Sequence, residues 1–210
     1  MPWISAVPKE KWGQVATLYT SGLSMRQIAE KLGVGIGAIV YVLRTLKVPR
    51  RAVHESNKLI YEAKPLSYSI RKNSSIRSRE LEIIGSMLYW AEGYKQPKAF
   101  GVDFANSDPD MAMLFLEFLR SRYILDQTRL HFSLYYYSDQ KLNEIIRFWS
   151  KKLAVPAKQF KNHYMKQDPN TNGRKMSYGI LHIRYNDKKL LRDLLSLIES
   201  HKQEFCVSVK

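Results

Sequence analysis

Along the first fifty positions, apolar residues recur at helical spacing in three short blocks. Trp12, Val15, Ala16 and Tyr19 fall at i, i+3, i+4 and i+7, which predicts a helix from Pro8 to Gly22 with one apolar face. Gly22 suits the left-handed residue that follows a helix end. Ser24 then serves as N-cap of a second helix, MRQIAEKLG, with Ile28, Ala29 and Leu32 inward and Gly33 closing it. A third helix is expected from about Gly35 to Leu46, with Val34, Ile39 and Leu43 on its core face. The pattern dissolves from Arg51 to Arg79, a polar stretch with Pro65 that ends in SIRKNSSIRSRE. It reads as a linker with a short helix near its start, His54 to Ala63.

The second half opens on LEIIGSMLYWAEGYK, Leu81 to Lys95, apolar on every side until a single carboxylate, Glu92, and then Gly93. Helices of that kind are buried, often against a second helix. Phe100, Val102 and Phe104 alternate with Gly101, Asp103 and Ala105, the mark of a half-buried strand. A helix follows from Asp108 and Pro109 to about Tyr123, and its stripe of Met111, Leu114, Phe115, Phe118 and Leu119 is core. In TRLHFSLYYY, Leu130, Phe132 and Leu134 point one way; Arg129, His131, Ser133, Tyr135 and Tyr137 point the other. A helix from Asp139 to about Leu153 precedes two strands, QFKNHYMKQ and KMSYGILHIRYND, around the turn-rich DPNTNGRK. The last helix runs from Asp187 to about His201. From Leu81 the order is α-β-α-β-α-β-β-α, an α+β arrangement.

Charge adds a partner to this picture. The 210 residues carry 34 Lys and Arg against 19 Asp and Glu, a formal +15. A polyanion, most simply nucleic acid, is the default partner of such a chain, ahead of an anionic membrane surface. Residues 1–79 hold 14 Lys and Arg against 4 Asp and Glu, and residues 80–210 hold 20 against 15, so the two parts differ in role. No apolar run reaches membrane-spanning length and no signal-peptide pattern opens the chain. One cysteine, Cys206, excludes a disulfide framework and a Cys-type zinc site, and fits a cytoplasmic location. The five histidines show no metal-ligand spacing. No phosphate-binding glycine loop, nucleophile elbow or dinucleotide fingerprint is present.

Two stretches resemble known families. SGLSMRQIAEKLGVGIGAIVYVLRTLKVPRR is similar to the helix-turn-helix of resolvase-type DNA-binding domains. Ala29 and Gly33 stand where crossing helices leave little room. The resemblance implies a three-helix DNA-binding domain over residues 1–51, a basic linker over 52–79, and groove-facing positions Ile36, Gly37, Val40, Tyr41 and Arg44. Of these only Tyr41 and Arg44 suit base reading, so modest readout is expected. Arg26, Lys47, Arg50 and Arg51 would ring the unit with phosphate contacts. In the linker, Arg71, Lys72 and Arg77 either follow a DNA groove as a basic arm or belong to a solvated hinge.

LYWAEG, an acid directly before glycine at a helix end, resembles the signature helix of the LAGLIDADG homing endonucleases, and the element order over residues 80–210 is compatible. That resemblance implies a curved antiparallel sheet covered by helices. It also implies a homodimer joined through the helix 81–93, binding double-stranded DNA with Glu92 of each chain holding Mg²⁺. Glu92 falls on the catalytic and metal-binding acid, with Lys95 or Lys98 assisting at the phosphate. The DNA-facing side of the sheet would carry Arg129, His131, Ser133, Tyr135, Tyr137, Lys161, His163, His182 and Arg184. A non-cleaving transcriptional regulator built on the same fold is the alternative. A third reading takes Tyr135–Tyr137 as a stacking platform for RNA.

Overall fold

The computed structural model describes residues 7–72, 75–167 and 176–206; the predicted turn at 168–175 lies outside them. The chain is α+β and forms two compact units that meet in sequence at Pro65 and Leu66.

The first unit begins with α1 (Trp12–Thr20), α2 (Met25–Leu32) and α3 (Ile36–Thr45). Ser24 starts α2 with a reciprocal cap. Its Oγ accepts the Gln27 N–H, and Gln27 Oε1 accepts the Ser24 N–H, so two donors at the helix start are satisfied. Gly33 ends α2 at φ 64°, a left-handed turn that glycine enters without strain. Val15, Tyr19, Ile28, Ala29, Ile39, Val42 and Leu43 form the core between the three helices. A fourth helix, α4 (Val53–Ala63), has no buried residue.

The second unit starts inside the expected linker. β1 (Tyr68–Ile70) pairs antiparallel with β3 (Tyr123–Leu125), and α5 (Ile76–Glu92) begins five residues before the apolar run does. Ser75 caps it by accepting the Ser78 N–H, which lets the helix extend backwards through polar sequence. The remaining elements are β2 (Val102–Asn106), α6 (Pro109–Arg122), β4 (Leu130–Tyr137), α7 (Leu142–Leu153), β5 (Tyr164–Lys166), β6 (Ile180–Tyr185) and α8 (Lys188–Phe205).

A four-stranded sheet runs in the order β2-β6-β4-β5. It is mixed rather than antiparallel, because β5 lies parallel to β4. The crossover through α7 carries the chain back, so β5 sets off in the same direction as β4. Val102, Phe104, Leu181, Ile183, Tyr185, Leu130, Phe132 and Leu134 are buried on the inner face, in one core with residues of α5, α6, α7 and α8. Phe100 does not continue this series. The strand starts at Val102, and Phe100 is 89% exposed.

The small residues of α5 are used within the chain. Gly85 rests against α6, where an added Cβ would lie 2.0 Å from Phe118 Cγ. Ser86 Oγ meets His201 Nδ1 of α8 at 2.9 Å. Elsewhere on α5, Ile84 and Trp90 are exposed, at 42% and 44%.

Candidate nucleic-acid interface

On the first unit, Arg26, Tyr41, Arg44, Lys47 and Arg50 are all exposed. Tyr41, midway along α3, makes an edge contact with Trp12 of α1, 6.1 Å between ring centres. Arg51 departs from its expected role as a phosphate contact. Its guanidinium donates to the carbonyls of Tyr19, Gly22 and Leu23 and lies 4.2 Å over the Tyr19 ring. The left-handed turn at Gly22 leaves carbonyls facing inward, and a planar fork of donors satisfies them better than water can. In the second unit, Arg71 Nε donates to the Arg120 carbonyl, while Lys72 and Arg77 are exposed.

The register of the sheet brings the predicted strand residues onto one face. His131 stands opposite Arg184, Ser133 opposite His182, and Asp103 of β2 opposite Arg184 from the other side. Asp103, whose neighbours suggested only a strand surface, is the hub. Its carboxylate accepts from His182 Nδ1 and from Arg184 Nε, both at 2.8 Å. Burial pushes the Asp103 carboxyl up. The His182 hydrogen bond and the charges of His182 and Arg184 outweigh that and hold it below the usual carboxylate value. With Asp103 ionised, and so able only to accept, the contact is made by a proton on His182 Nδ1. Tyr135 packs on the His182 ring at 4.3 Å and on Tyr164 of β5 at 5.4 Å.

Not every predicted residue on this face is available. Ser133 is fully buried, and its Oγ has no hydrogen-bond partner among the described residues. Alternation put it on the outer face, but the surrounding side chains close over so small a residue. His163 Nδ1 accepts the Leu134 N–H at 3.3 Å, so it completes the sheet edge rather than reaching outward. Burial lowers its pKa. His131 is likewise lowered, by burial first, with Arg184 and Lys161 adding to the effect. Arg129 and Lys161 are exposed, and His131, Tyr135, Tyr137, His182 and Arg184 are half-buried. Tyr164 and Lys166, unpredicted, join Tyr135 and Tyr137 through the parallel pairing.

Glu92 is exposed at the end of α5, where the following Gly93 bridges to Phe104 of β2 and the Tyr94 N–H donates to the Asp103 carbonyl. The buried Tyr89 hydroxyl donates to the Tyr94 carbonyl and accepts from the Asp103 N–H, so the helix end is tied to the sheet edge. Lys95 turns back on the helix. Its ammonium donates to the carbonyls of Gly93, Trp90 and Tyr89 at 2.7, 2.8 and 3.3 Å. A cation on the last carbonyls of a helix satisfies both their lone pairs and the dipole. These residues do not fit a divalent cation within one chain. Glu92 is the single carboxylate at the helix end, an ammonium already holds the carbonyls beside it, and Asp103 is engaged by His182 and Arg184. Among the described residues no group of three or more His, Cys, Asp or Glu is placed to hold a metal.

No protein family, no curated protein and no solved structure matches the chain.

Proposed function

We propose that the chain is a duplex-DNA-binding protein of regulator type, which grips its target without cutting it. The observation that carries this reading is the outer face of the sheet, where His131, Tyr135, His182 and Arg184 stand together and the one acid beside them on the paired strands, Asp103, is neutralised by two of them. A face of donors, rings and cations with its carboxylate cancelled suits phosphate oxygens and base edges. The first unit supplies a second basic surface through Arg26 on α2, Arg44 on α3, and Lys47 and Arg50 just after α3, the three-helix order expected of a helix-turn-helix. Lys95 is the reason to favour gripping over cutting: the positive charge at the end of α5 is built in.

A second reading, metal-dependent cleavage by two copies, draws on one observation. Ile84 and Ala91, seven residues apart on α5, leave an apolar side uncovered next to an exposed Glu92. Two copies joined there would bring two such carboxylates together, as in LAGLIDADG enzymes.

One experiment separates the readings. A random duplex library is incubated with the full chain, with and without Mg²⁺, and both retention and nicking are scored. Retention in EDTA with no nicking in Mg²⁺ is the expected result. Nicking by the wild type that Glu92→Gln abolishes establishes the nuclease. Displacement of duplex by single-stranded RNA at equal concentration refutes both.

A further inference from the structure

Phe100 breaks the rule that governs its neighbours. Val102 and Phe104, two and four residues on, are buried at 2% and 0%, while Phe100 is exposed at 89%. An apolar ring left in water forfeits the favourable transfer that the other two gain. The loop that holds it is anchored rather than slack. At its start Tyr94 is fixed by the Tyr89 hydroxyl and the Asp103 carbonyl. In its middle the Ala99 N–H donates to Gln96, and Ala99 is buried. At its end Gly101 runs so close to the next strand that a Cβ would lie 2.2 Å from the Tyr185 carbonyl oxygen, so no other residue fits without a shift of backbone. A departure from local pattern held by a built loop marks function more often than accident.

Beside Phe100 lies an open depression of about 400 Å³, lined among others by Tyr94, Lys98, Asp103, His131, Arg184 and Asn186. Tyr94 is a second exposed ring, at 50%. The depression therefore combines two aromatic surfaces, cations and groups that both donate and accept, on a chain of net +15. Aromatic faces stack on nucleobases whatever their identity, and the cations suit the flanking phosphates. Apolar wedges also enter base steps and unstack them when a protein approaches through a groove.

We propose that Phe100 is a wedge that enters the base stack of bound duplex DNA, and that the depression between Tyr94, Lys98 and Arg184 receives the displaced base. The proposal rests on the duplex-binding reading above and adds one nucleotide-sized site to it. Its position at the β2 end of the outer face puts that site next to Asp103, whose partners Arg184 and His182 belong to the same surface.

The test compares two duplexes at low salt by fluorescence anisotropy, one fully paired and one with a single bulged 2-aminopurine, using the full chain. Unstacking opposes binding less when the base is already unpaired, so the wild type binds the bulged duplex about tenfold more tightly. Stacking on the ring quenches the 2-aminopurine. Phe100→Ala melts at the wild-type temperature, because the side chain is exposed, but brings the affinity ratio to about one and loses the quench. Phe100→Trp restores both. Equal wild-type affinities, or a preference that survives in Phe100→Ala, overturns the wedge and leaves duplex binding intact. Failure of the wild type to bind either duplex removes the wedge and the duplex reading together.

Discussion

Gly85 offers the sharpest test of the packing, because two opposing effects of one methyl group can be weighed. In an unobstructed helix, Gly→Ala stabilises by about 1 kcal/mol through helix propensity and reduced freedom of the unfolded chain. At Gly85 the new Cβ would lie 2.0 Å from Phe118 Cγ and 2.3 Å from Phe118 Cβ. A rotamer change can move the ring, but it cannot move Phe118 Cβ, which is fixed to the backbone of α6. The helices must separate, and overpacking of this kind costs about 3 kcal/mol at the upper end of its usual range. The net expectation for Gly85→Ala is destabilisation by about 2 kcal/mol, or a melting temperature about 4–8 °C lower for a chain of this size. Gly37 of α3 is the control, since nothing lies within 4 Å of its Cβ position. Gly37→Ala should leave stability unchanged or raise it by up to about 1 kcal/mol. Both are read by thermal unfolding followed by circular dichroism. A Gly85→Ala protein as stable as the wild type would refute the close α5–α6 crossing.

Other consequences can be measured alongside. His201 is 1% exposed and its pKa lies below the ordinary 6.5, chiefly because burial disfavours the charge, with Arg79 and Arg122 adding to this and Glu82 and Glu204 opposing it. The unfolded chain therefore takes up the proton first, so stability is complete above about pH 6.5 and falls as the pH drops towards the folded value. His201→Gln should flatten the slope of urea midpoint against pH in that window. Arg51→Lys removes the fork that holds three carbonyls and the stacking on Tyr19, and should destabilise the first unit by about 1–3 kcal/mol, read as loss of amide protection in α1 and α2. Lys95→Met strips the cation from the end of α5 and should lower stability by about 0.5–1 kcal/mol. If a divalent cation can replace that ammonium, Mg²⁺ will raise the melting temperature of Lys95→Met and not that of the wild type.

Period-based reading reached the long elements because each buries a whole face. The stripe of α6 and the alternation in β4 and β6 repeat often enough to reveal both type and direction. It failed where the structure depends on a partner distant in sequence. β1 and β3 have three residues each, too few to show a period, and exist because they pair with one another. The parallel course of β5 follows from the crossover, which leaves no local mark. Phe100 was placed inside because alternation was carried one step past Gly101, where the backbone contact with Tyr185 ends the strand. Among the site residues, alternation identified the face but not its neighbours. It put His182 and Arg184 outward, yet could not show that Asp103 joins them, since that requires the β2–β6 register. Arg51 and Lys95 looked like free cations because carbonyls, which carry no residue identity, are what they bind.

The place of β6 in the sheet has a consequence for how the protein is made. β2 and β4 both pair with it, and at residues 180–185 it comes well after both in sequence. During synthesis β4 can meet β5 first, but β2 has no strand to pair with and β4 keeps one open edge until β6 emerges. The first 65 residues can condense during that interval from contacts local in sequence. Premature termination between Tyr137 and Ile180 would thus leave a folded first unit fused to strands that lack their central partner, a product that quality control should recognise and degrade.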